Sequence, residues 1–582
     1  MNEGFEVLAA QCRSDAFRQS LAHSADVWLH MESALDDALT ALKQHIVVVS
    51  NGSNEGQESG VANTSSGDGA NGVDEDNDDG LGYTIRVSRA QAQNGLDTGE
   101  FTPTSVEVRD AAKVAKHVAI ATSAFRLLRN ACAACKANQA ACRATRVVQQ
   151  AHAIVIGCCE WVDIEEDAVK ASIVLLSQVA LQFLVNCVAG NEQNQAIVWE
   201  MFFPDHFQKV LVECQEHRKI AAFAVALVLN CVNSQQASML EEVTQRRMDL
   251  VCARNLVITV LQRCLVKPAS NSAGSFSAPA ILPLPTSHDD HDPAFEWICL
   301  LFRVLFEAGY TKDLYNAVGA HMLSKLWSRV TPEQLILLRM MTLWVTSHFE
   351  SGRQKPSNRQ EAVAAAHING AVASLELFEF LKNTWVYVIT RDDDDRPEEA
   401  EEARKLMWIE LEKEAKLLLL DSIGEVAQFA SLIRTEQAQL LLESLLEELQ
   451  RVWQLRRLGM KGGAQATNTS GSASSESDAE PFGYRSGIIR AVGNLSFRHS
   501  EHQDMVRERG HLELFLNHCN IDDANPLVRE WSLVALRNLC EGNEANQQYI
   551  NALKPQQQPT PGQSAAFDGQ AESIDEDGKN AQ

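Results

Sequence analysis

The sequence lacks a surplus of basic residues, and this absence excludes one broad class of function. Lysine and arginine number 51 against 77 aspartates and glutamates, which gives a formal net charge of −26. No stretch gathers cations into a stripe that could neutralise nucleic-acid phosphates. Nucleic-acid binding is therefore not expected.

The acidic charge itself is concentrated in segments with a non-globular composition. Residues 50–82, 391–402, 459–482 and 553–582 contribute −8, −6, −2 and −3, which is most of the net charge. The first of these is rich in Gly, Ser, Asn and Asp, a composition typical of disorder. The remainder of the chain is only mildly acidic, and its 45% apolar content allows a sizeable core.

Features of secreted and membrane proteins are also missing. The 14 cysteines show no disulfide-framework spacing, and most lie inside apolar runs, as Cys187 and Cys231 do. Buried free thiols indicate a reducing compartment. The N-terminus lacks the basic and then apolar layout of a signal peptide. Polar residues interrupt the most apolar window, 171–190, which predicts a buried helix pair and no membrane span. We therefore expect a cytoplasmic protein.

Strand signals are almost absent, because apolar and polar residues hardly ever alternate. Apolar residues instead recur at spacings of three and four, as in Phe125, Leu128 and Cys132, which predicts helices. Residues 384–388 are the one β-like run, which we interpret as a helix end. Residues 46–49 are likewise expected to end an N-terminal helical segment. The sequence therefore predicts an all-α protein.

Composition and helical periodicity together predict eight segments. They are N-terminal helices at 1–49, a disordered acidic insert and linker at 50–104, armadillo-like repeats at 105–266, a loop at 267–293, helical repeats at 294–457 with an acidic loop near 391–402, a linker at 458–482, a C-terminal domain at 483–552 and a disordered tail at 553–582.

A short pattern of one asparagine and one glutamine recurs along the chain. Asn494 is followed nine residues later by Gln503, and Asn538 by Gln547, so the two copies are 44 residues apart. Further copies are Asn130 with Gln139 and Asn186 with Gln195, while Asn230 lies 44 residues after Asn186 but has Met239 at the ninth position. A period of this length predicts an armadillo- or HEAT-like α-solenoid with disordered acidic and Gly/Ser-rich inserts.

The recurring asparagines and glutamines have two interpretations. They are joints, in which the amides bond backbone groups left without partners at a helix end. Alternatively, the asparagines line a concave groove and bind the main chain of an extended peptide. Peptide-carrying armadillo proteins usually place a Trp one turn before that Asn, whereas here the position is occupied by Arg126, Gln182, Ala226, Arg490 and Val534.

The C-terminal segment has clear punctuation. Asn525-Pro526 predicts an N-cap followed by the first helical position, and the apolar helix then runs through Trp531 to Leu539. Gly510 predicts a break before a helix that begins at Leu512. We interpret Trp531 as a core anchor.

A family resemblance rests on this segment. The stretch from Arg490 to Leu495, the turn at 519–526, and the run from Arg529 through Arg537 to Gln547 closely resemble the C-terminal domain of the ataxin-10 family. The match covers about 65 residues and includes irregular turn residues as well as helix periodicity. The resemblance implies an armadillo-like, non-enzymatic cytoplasmic protein connected with cytokinesis or with centrosome and cilium biology, reaching the centrosome, cilium base or midbody.

Catalytic signals are weak. Cys132 and Cys135 form a CxxC near Cys142, but no second pair completes a zinc site. No phosphate-binding loop, nucleophile elbow or HExxH motif is present. We therefore expect no catalytic, metal or cofactor site, and proteins of unspecified identity as partners. The functions left open are a scaffold, a peptide-carrying transport adaptor and an enzyme that uses Cys132 and Cys135. The oligomeric state is also left open.

Overall fold

The structure, a computed structural model, describes residues 2–50, 104–233, 240–264, 293–319, 329–352, 370, 372–390, 402–463 and 480–553. The chain divides into two compact units. The first comprises Met1–Arg246 with Asp292–Trp297, and the second comprises Arg247–His291 with Ile298–Gln582.

The first unit holds stacked helices and one short ribbon. Its helix α4 packs on α1 and α3 on one side and on α7 on the other, and α7 in turn packs on α10. These elements are α1 (Asn2–Gln11), α2 (Asp15–Leu21), α3 (Ala25–His45), β1 (Ile46–Ser50), β2 (Thr104–Val108), α4 (Ala111–Cys132), α5 (Lys136–Ala144), α6 (Val147–Trp161), α7 (Asp167–Val188), α8 (Glu192–Phe202), α9 (Asp205–Glu213) and α10 (Arg218–Val232).

The helices that follow end in the C-terminal repeats, in which α20 packs on α17 and α23 packs on α20. They are α11 (Leu240–Cys252), α12 (Arg254–Gln262), α13 (Ala294–Glu307), α14 (Thr311–Gly319), α15 (Pro332–Gly352), α16 (Leu375–Ile389), α17 (Glu402–Val426), α18 (Ala430–Ile433), α19 (Glu436–Gly463), α20 (Tyr484–Leu495), α21 (Ser500–Glu508), α22 (Leu512–Asn517), α23 (Val528–Cys540) and α24 (Glu544–Ala552).

Apolar spacing explains how these helices pack. Helix α23 buries Val528, Ala535 and Leu539 at helical spacing while Leu533 and Val534 remain exposed, as an amphipathic helix does. Helix α7 is the one described helix long and apolar enough to cross a membrane, and 56% of its most apolar window is buried inside the protein. Its packing on α4, α6 and α10 is typical of a core helix.

The expectation of helix at residues 46–49 is wrong, and the near absence of strands has one exception. Strand β1 pairs antiparallel with β2, with Ile46 opposite Val108. Four consecutive β-branched residues, 46–49, lose side-chain freedom in a helix and favour an extended backbone. Residues 384–388, by contrast, lie at the end of α16 as predicted.

The predicted N-cap at Asn525 is wrong as well. Helix α23 begins at Val528, and its N-cap residue is Leu527, with φ of 62°. The Asn525 side chain is instead used by another helix: its Oδ1 accepts from the Arg485 backbone N–H at 2.8 Å, and its Nδ2 donates to Glu480. A buried asparagine serves a distant backbone group here, so its own helix starts later.

Other boundaries differ or lie outside the described residues. Helix α19 continues to Gly463, six residues into the predicted linker. Within the helical repeats predicted at 294–457, the described part from residue 402 onward contains α17, α18 and α19. The predicted acidic insert, most of the 267–293 loop, the 391–402 acidic loop and nearly all of the 553–582 tail are outside the described ranges.

The predicted fold class is confirmed. Within the described residues the secondary structure is helical apart from β1 and β2, and in each unit corresponding helices of successive repeats stack on one another. This is the all-α, armadillo-like solenoid arrangement.

Candidate functional site

Each recurring asparagine donates its side-chain amide to a backbone carbonyl of an earlier helix. In three cases the acceptor is the residue directly before the preceding Asn of the pattern, so the bonds form a ladder. The donor–acceptor pairs are Asn130 to Ala9 (3.0 Å), Asn186 to Arg129 (2.9 Å), Asn230 to Val185 (3.3 Å), Asn494 to Gly424 (2.8 Å) and Asn538 to Gly493 (3.0 Å).

Two of the glutamines reach in the opposite direction, toward the next repeat. Gln139 Nε2 donates to the carbonyls of Asn186 (2.8 Å) and Ala189 (3.1 Å). Gln503 Nε2 donates to those of Asn538 (2.8 Å) and Glu541 (3.2 Å). One repeat is thus bonded backward through its Asn and forward through its Gln.

The other two glutamines donate only within their own repeat. Gln195 Nε2 donates to the Val188 carbonyl at 3.1 Å, and its Oε1 accepts from Arg246 at 3.4 Å. Gln547 Nε2 donates to Cys540 at 2.8 Å, and its side chain is exposed. Gln195 is buried, with α10 and α11 following it, whereas Gln547 lies in the last described helix and is exposed. The contacts of each glutamine therefore depend on whether another helix packs over it.

The residue before each Gln is a further part of the joint that the spacing of Asn and Gln did not predict. These side chains are buried and bond the carbonyl seven residues earlier, which closes the turn after the Asn helix. The pairs are Asn138 with Ala131 (2.8 Å), Asn194 with Cys187 (2.9 Å), His502 with Leu495 (2.8 Å) and Asn546 with Leu539 (2.7 Å). The recurring Asn-Gln dipeptide was the available signal.

The turn between Asn and Gln is the same in four copies. The residue four positions after the Asn has a left-handed backbone at Ala134, Gly190, Arg498 and Gly542, with φ between 51° and 74°. Glycine occupies only two of these positions, and an L side chain in this region costs about 1–2 kcal/mol. The turn is therefore imposed by the surrounding bonds as well as by local preference.

The remaining predicted residues, Arg490, Trp531 and Arg537, occupy one end of the array. Arg490 pairs with Asp421 at 2.9 Å and lies 6.0 Å from the Trp531 ring centroid, an arrangement in which the cation is attracted by the aromatic ring. Trp531 is only half-buried and Arg537 is exposed. The structure brings the first two together and leaves Arg537 apart.

A cleft of ≈ 200 Å³ opens beside the C-terminal repeats. Trp453, Arg457, Asn517, His518 and Ile521 are among the residues that line it. The Nδ1 of His518 bonds the Leu514 carbonyl at 2.7 Å, and the buried Nε2 has no hydrogen-bond partner among the described residues. Because Nδ1 is the donor in that bond, Nε2 is an acceptor at the cleft wall.

An ion-pair network lies next to this cleft. Arg485, whose side chain is 2% exposed, pairs with Glu480 at 2.9 Å and with Asp522 at 2.5 Å. Arg456, from α19, also pairs with Asp522. The network ties α19, α20 and the turn before α23 together, so the cleft has a rigid wall.

In the first unit, three buried cysteines meet at a repeat joint. The Sγ atoms of Cys132, Cys142 and Cys187 lie within 4.8 Å of one another. The sequence indicated Cys132 and Cys142, but Cys187 belongs to the next repeat and was not associated with them. Hydrogen bonds from the Cys132 and Cys142 thiols, with a third from Asn194, hold the pKa of Cys187 below its usual range.

A histidine pair in the first unit predicts a dependence of stability on pH. His152 Nε2 lies 2.8 Å from His206 Nδ1, which also bonds the Met201 carbonyl. Burial, with the neighbouring His206, lowers the pKa of His152 to about 4. Because the folded pKa is below the ordinary value, the stabilisation is complete above about pH 6.5 and is lost as the pH falls toward 4.

We expect the advantage of the wild type over His152→Gln to shrink by about 1–2 kcal/mol between pH 7 and pH 4, after allowance for solvent screening of a half-buried ring. Chemical denaturation of the full chain at a series of pH values measures it. His30→Gln, which alters an exposed histidine, is the control. A constant difference between wild type and His152→Gln would contradict the prediction.

Comparisons with known proteins agree with the C-terminal resemblance and extend it. A family model described as the spinocerebellar ataxia type 10 protein domain matches residues 484–581. Ataxin-10 of Bos taurus is 27% identical over 478 residues, covering 80% of this chain and 83% of that protein. The ataxin-10 homolog of Dictyostelium discoideum is 46% identical over 77 residues, 13% of each chain.

Among solved structures, a chain from a study of a phosphorylation switch in the interaction between cadherin and beta-catenin aligns with 75% of this chain and 92% of its own length. It is 12% identical, and its TM-score is 0.21. A score this low carries no conclusion about fold or function.

Proposed function

Because the chain belongs to the ataxin-10 family, we propose that it is a non-enzymatic helical scaffold or adaptor that binds other proteins through its C-terminal repeats. The family resemblance supports a role in cytokinesis or at the centrosome and cilium. The same proposal places the protein in the cytoplasm, with recruitment to the centrosome, cilium base or midbody.

Exposed apolar side chains around the cleft support protein binding. Ile521 is 82% exposed, Phe482 68% and Leu527 61%. Ile521 lines the cleft. Phe482 is next to Gly483, whose backbone N–H donates to the Ala524 carbonyl in the turn before α23. Leu527 is the last residue of that turn. Apolar side chains grouped beside a cleft and rimmed by polar groups are typical of interaction surfaces.

The chemistry of the cleft indicates what kind of segment it would take. Trp453 and Ile521 offer an apolar floor and rim, and Arg457 offers a cation. A peptide segment with an apolar anchor next to an acidic residue matches these groups.

The peptide-carrying alternative receives no support from the asparagines. Their amides are bonded to backbone carbonyls of the protein itself at 2.8–3.3 Å, so a peptide main chain would have to replace an existing bond. The geometry supports the joint interpretation of the Asn and Gln residues, which we adopt.

One capture experiment separates these functions. The tagged full chain is expressed in dividing cells depleted of the endogenous protein, and co-purifying proteins are identified by mass spectrometry. We expect Ile521→Asp to reduce capture more than tenfold and to raise the fraction of binucleate cells, because a carboxylate at the rim opposes an apolar anchor. Asn494→Ala with Asn538→Ala is expected to lower the melting temperature while capture is retained.

Leu29→Asp is the matched control, since Leu29 is an apolar residue of the first unit with 60% exposure. Capture that Ile521→Asp leaves unchanged would rule out the cleft as the binding surface. Loss of capture in the double asparagine variant at an unchanged melting temperature would instead establish the peptide-carrying function. Normal division in depleted cells would exclude the role in cytokinesis.

A further inference from the structure

The three-thiol cluster of the first unit comes from three helices of two successive repeats. Cys132 ends α4, Cys142 lies in α5 and Cys187 lies near the end of α7. All three side chains are 0% exposed. Cys132 and Cys142 have their Sγ atoms 3.4 Å apart, and all three sulfurs lie within 4.8 Å of one another.

The surroundings of the cluster contain a polar support for one of the sulfurs. Asn194 Nδ2 lies 3.2 Å from Cys187 Sγ, and it shares its two hydrogens between that sulfur and the carbonyls of Gln139 and Cys187, both at 2.9 Å. The Oδ1 of the same amide accepts from Arg143 Nη1 at 2.9 Å. A guanidinium on the amide oxygen polarises the amide, which makes its N–H groups better donors to a negatively charged sulfur. Partners of this kind orient the ligands in metal sites.

The ligand set discriminates among metals. Within the described residues the group contains three cysteines and no fourth His, Cys, Asp or Glu. Cys135 is close to Cys132 in sequence and is buried, but its sulfur is not part of the group. Structural zinc sites are almost always tetrahedral with four protein ligands, and catalytic zinc sites keep an open position for water. A three-sulfur set closed to water is suited to a soft ion that accepts three thiolates, and thiolates select Cu(I) among such ions.

We propose that Cys132, Cys142 and Cys187 form a three-coordinate site for a soft monovalent ion, Cu(I), at the joint between two N-terminal repeats. Each ligating thiol loses its proton, so complete coordination forms three Cu–S bonds and releases three protons to solvent. Copper enters and remains as Cu(I), and no electron is transferred. The bound ion links α4 and α5 to α7, so it stabilises the joint that Asn186 and Gln139 also hold.

The test is a competition titration of the reduced full chain with Cu(I) under anaerobic conditions, against the colorimetric chelator bicinchoninate. All proteins carry Cys252→Ser, which removes an exposed thiol. We expect one Cu(I) per chain to be withdrawn from the chelator, and at least a tenfold loss of this affinity in Cys187→Ser and in Cys142→Ala. Cys231→Ser, which alters a buried cysteine outside the cluster, is the matched control.

Two further measurements make the outcome independent of variant folding and of slow entry into a buried site. X-ray absorption on the loaded parent chain is expected to count three sulfur ligands, and loading is repeated during refolding from denaturant. No uptake by either route, two sulfur ligands, or equal uptake by Cys187→Ser would overturn the proposal. Zinc bound in preference to Cu(I) would overturn the choice of metal.

Discussion

Replacing Arg485 by alanine is expected to lower the free energy of unfolding of the C-terminal repeats by about 3–5 kcal/mol. The guanidinium is buried between Glu480 and Asp522, whose side chains are only 19% and 10% exposed. Without the cation, both carboxylates remain largely desolvated, and an uncompensated buried charge is costly. Arg456 still pairs with Asp522, so most of this energetic cost comes from Glu480.

The measurement is urea denaturation combined with hydrogen exchange across residues 480–553, because exchange reports the repeats separately from the rest of a chain with two units. Arg498→Ala is the matched control: Arg498 also pairs with a glutamate of this segment, Glu541, but it is 71% exposed. We expect that control to cost below about 1 kcal/mol. Equal losses in the two variants would show that burial of the Arg485 network contributes nothing.

The second large effect is expected at Gln503. Gln503→Ala removes two hydrogen bonds to carbonyls of the next repeat and leaves a gap where a 2% exposed side chain was packed. Buried carbonyls without donors, together with a cavity, lead us to expect a loss of about 2–4 kcal/mol in the free energy of unfolding.

Gln547 provides an internal comparison for this prediction. It occupies the same position of the pattern, but it is exposed and bonds only Cys540 of its own repeat. Gln547→Ala is expected to cost less than about 1 kcal/mol. Urea denaturation of both variants side by side measures the difference. If the two substitutions cost the same, the forward bonds of Gln503 do not stabilise the joint.

The sequence predicted the repeat and its period, because the spacing of Asn and Gln can be read along the chain without knowing how the helices pack. It did not predict the direction of the bonds. Asn538 contacts Gly493 and Gln503 contacts Asn538 across stacked helices, and such pairings follow from stacking geometry alone. For the same reason, the sequence did not predict that Cys187 lies beside Cys132 and Cys142 of the preceding repeat.

Two local errors have different physical origins. The strand at 46–50 follows α3 directly, and pairing with a segment more than fifty residues later decided its conformation. At Asn525, capping preference favoured the start of a helix, but a bond to the Arg485 backbone took the side chain. At residues 46–49 the β-branched side chains and the distant strand favour the same extended backbone, whereas at Asn525 a distant partner overrode a capping preference. The cleft is another product of packing, because α19, α20 and the turn before α23 come from separate parts of the chain.

The ribbon of β1 and β2 has a consequence for how this protein can vary. It holds residues 46–50 and 104–108 side by side, so Ser50 and Thr104 are fixed next to each other. The entropic cost of holding two chain positions together grows only logarithmically with the number of residues between them, by about 0.6 kcal/mol for each doubling. We therefore expect a change in the number of residues between Ser50 and Thr104 to leave the spacing of α3 and α4 unchanged.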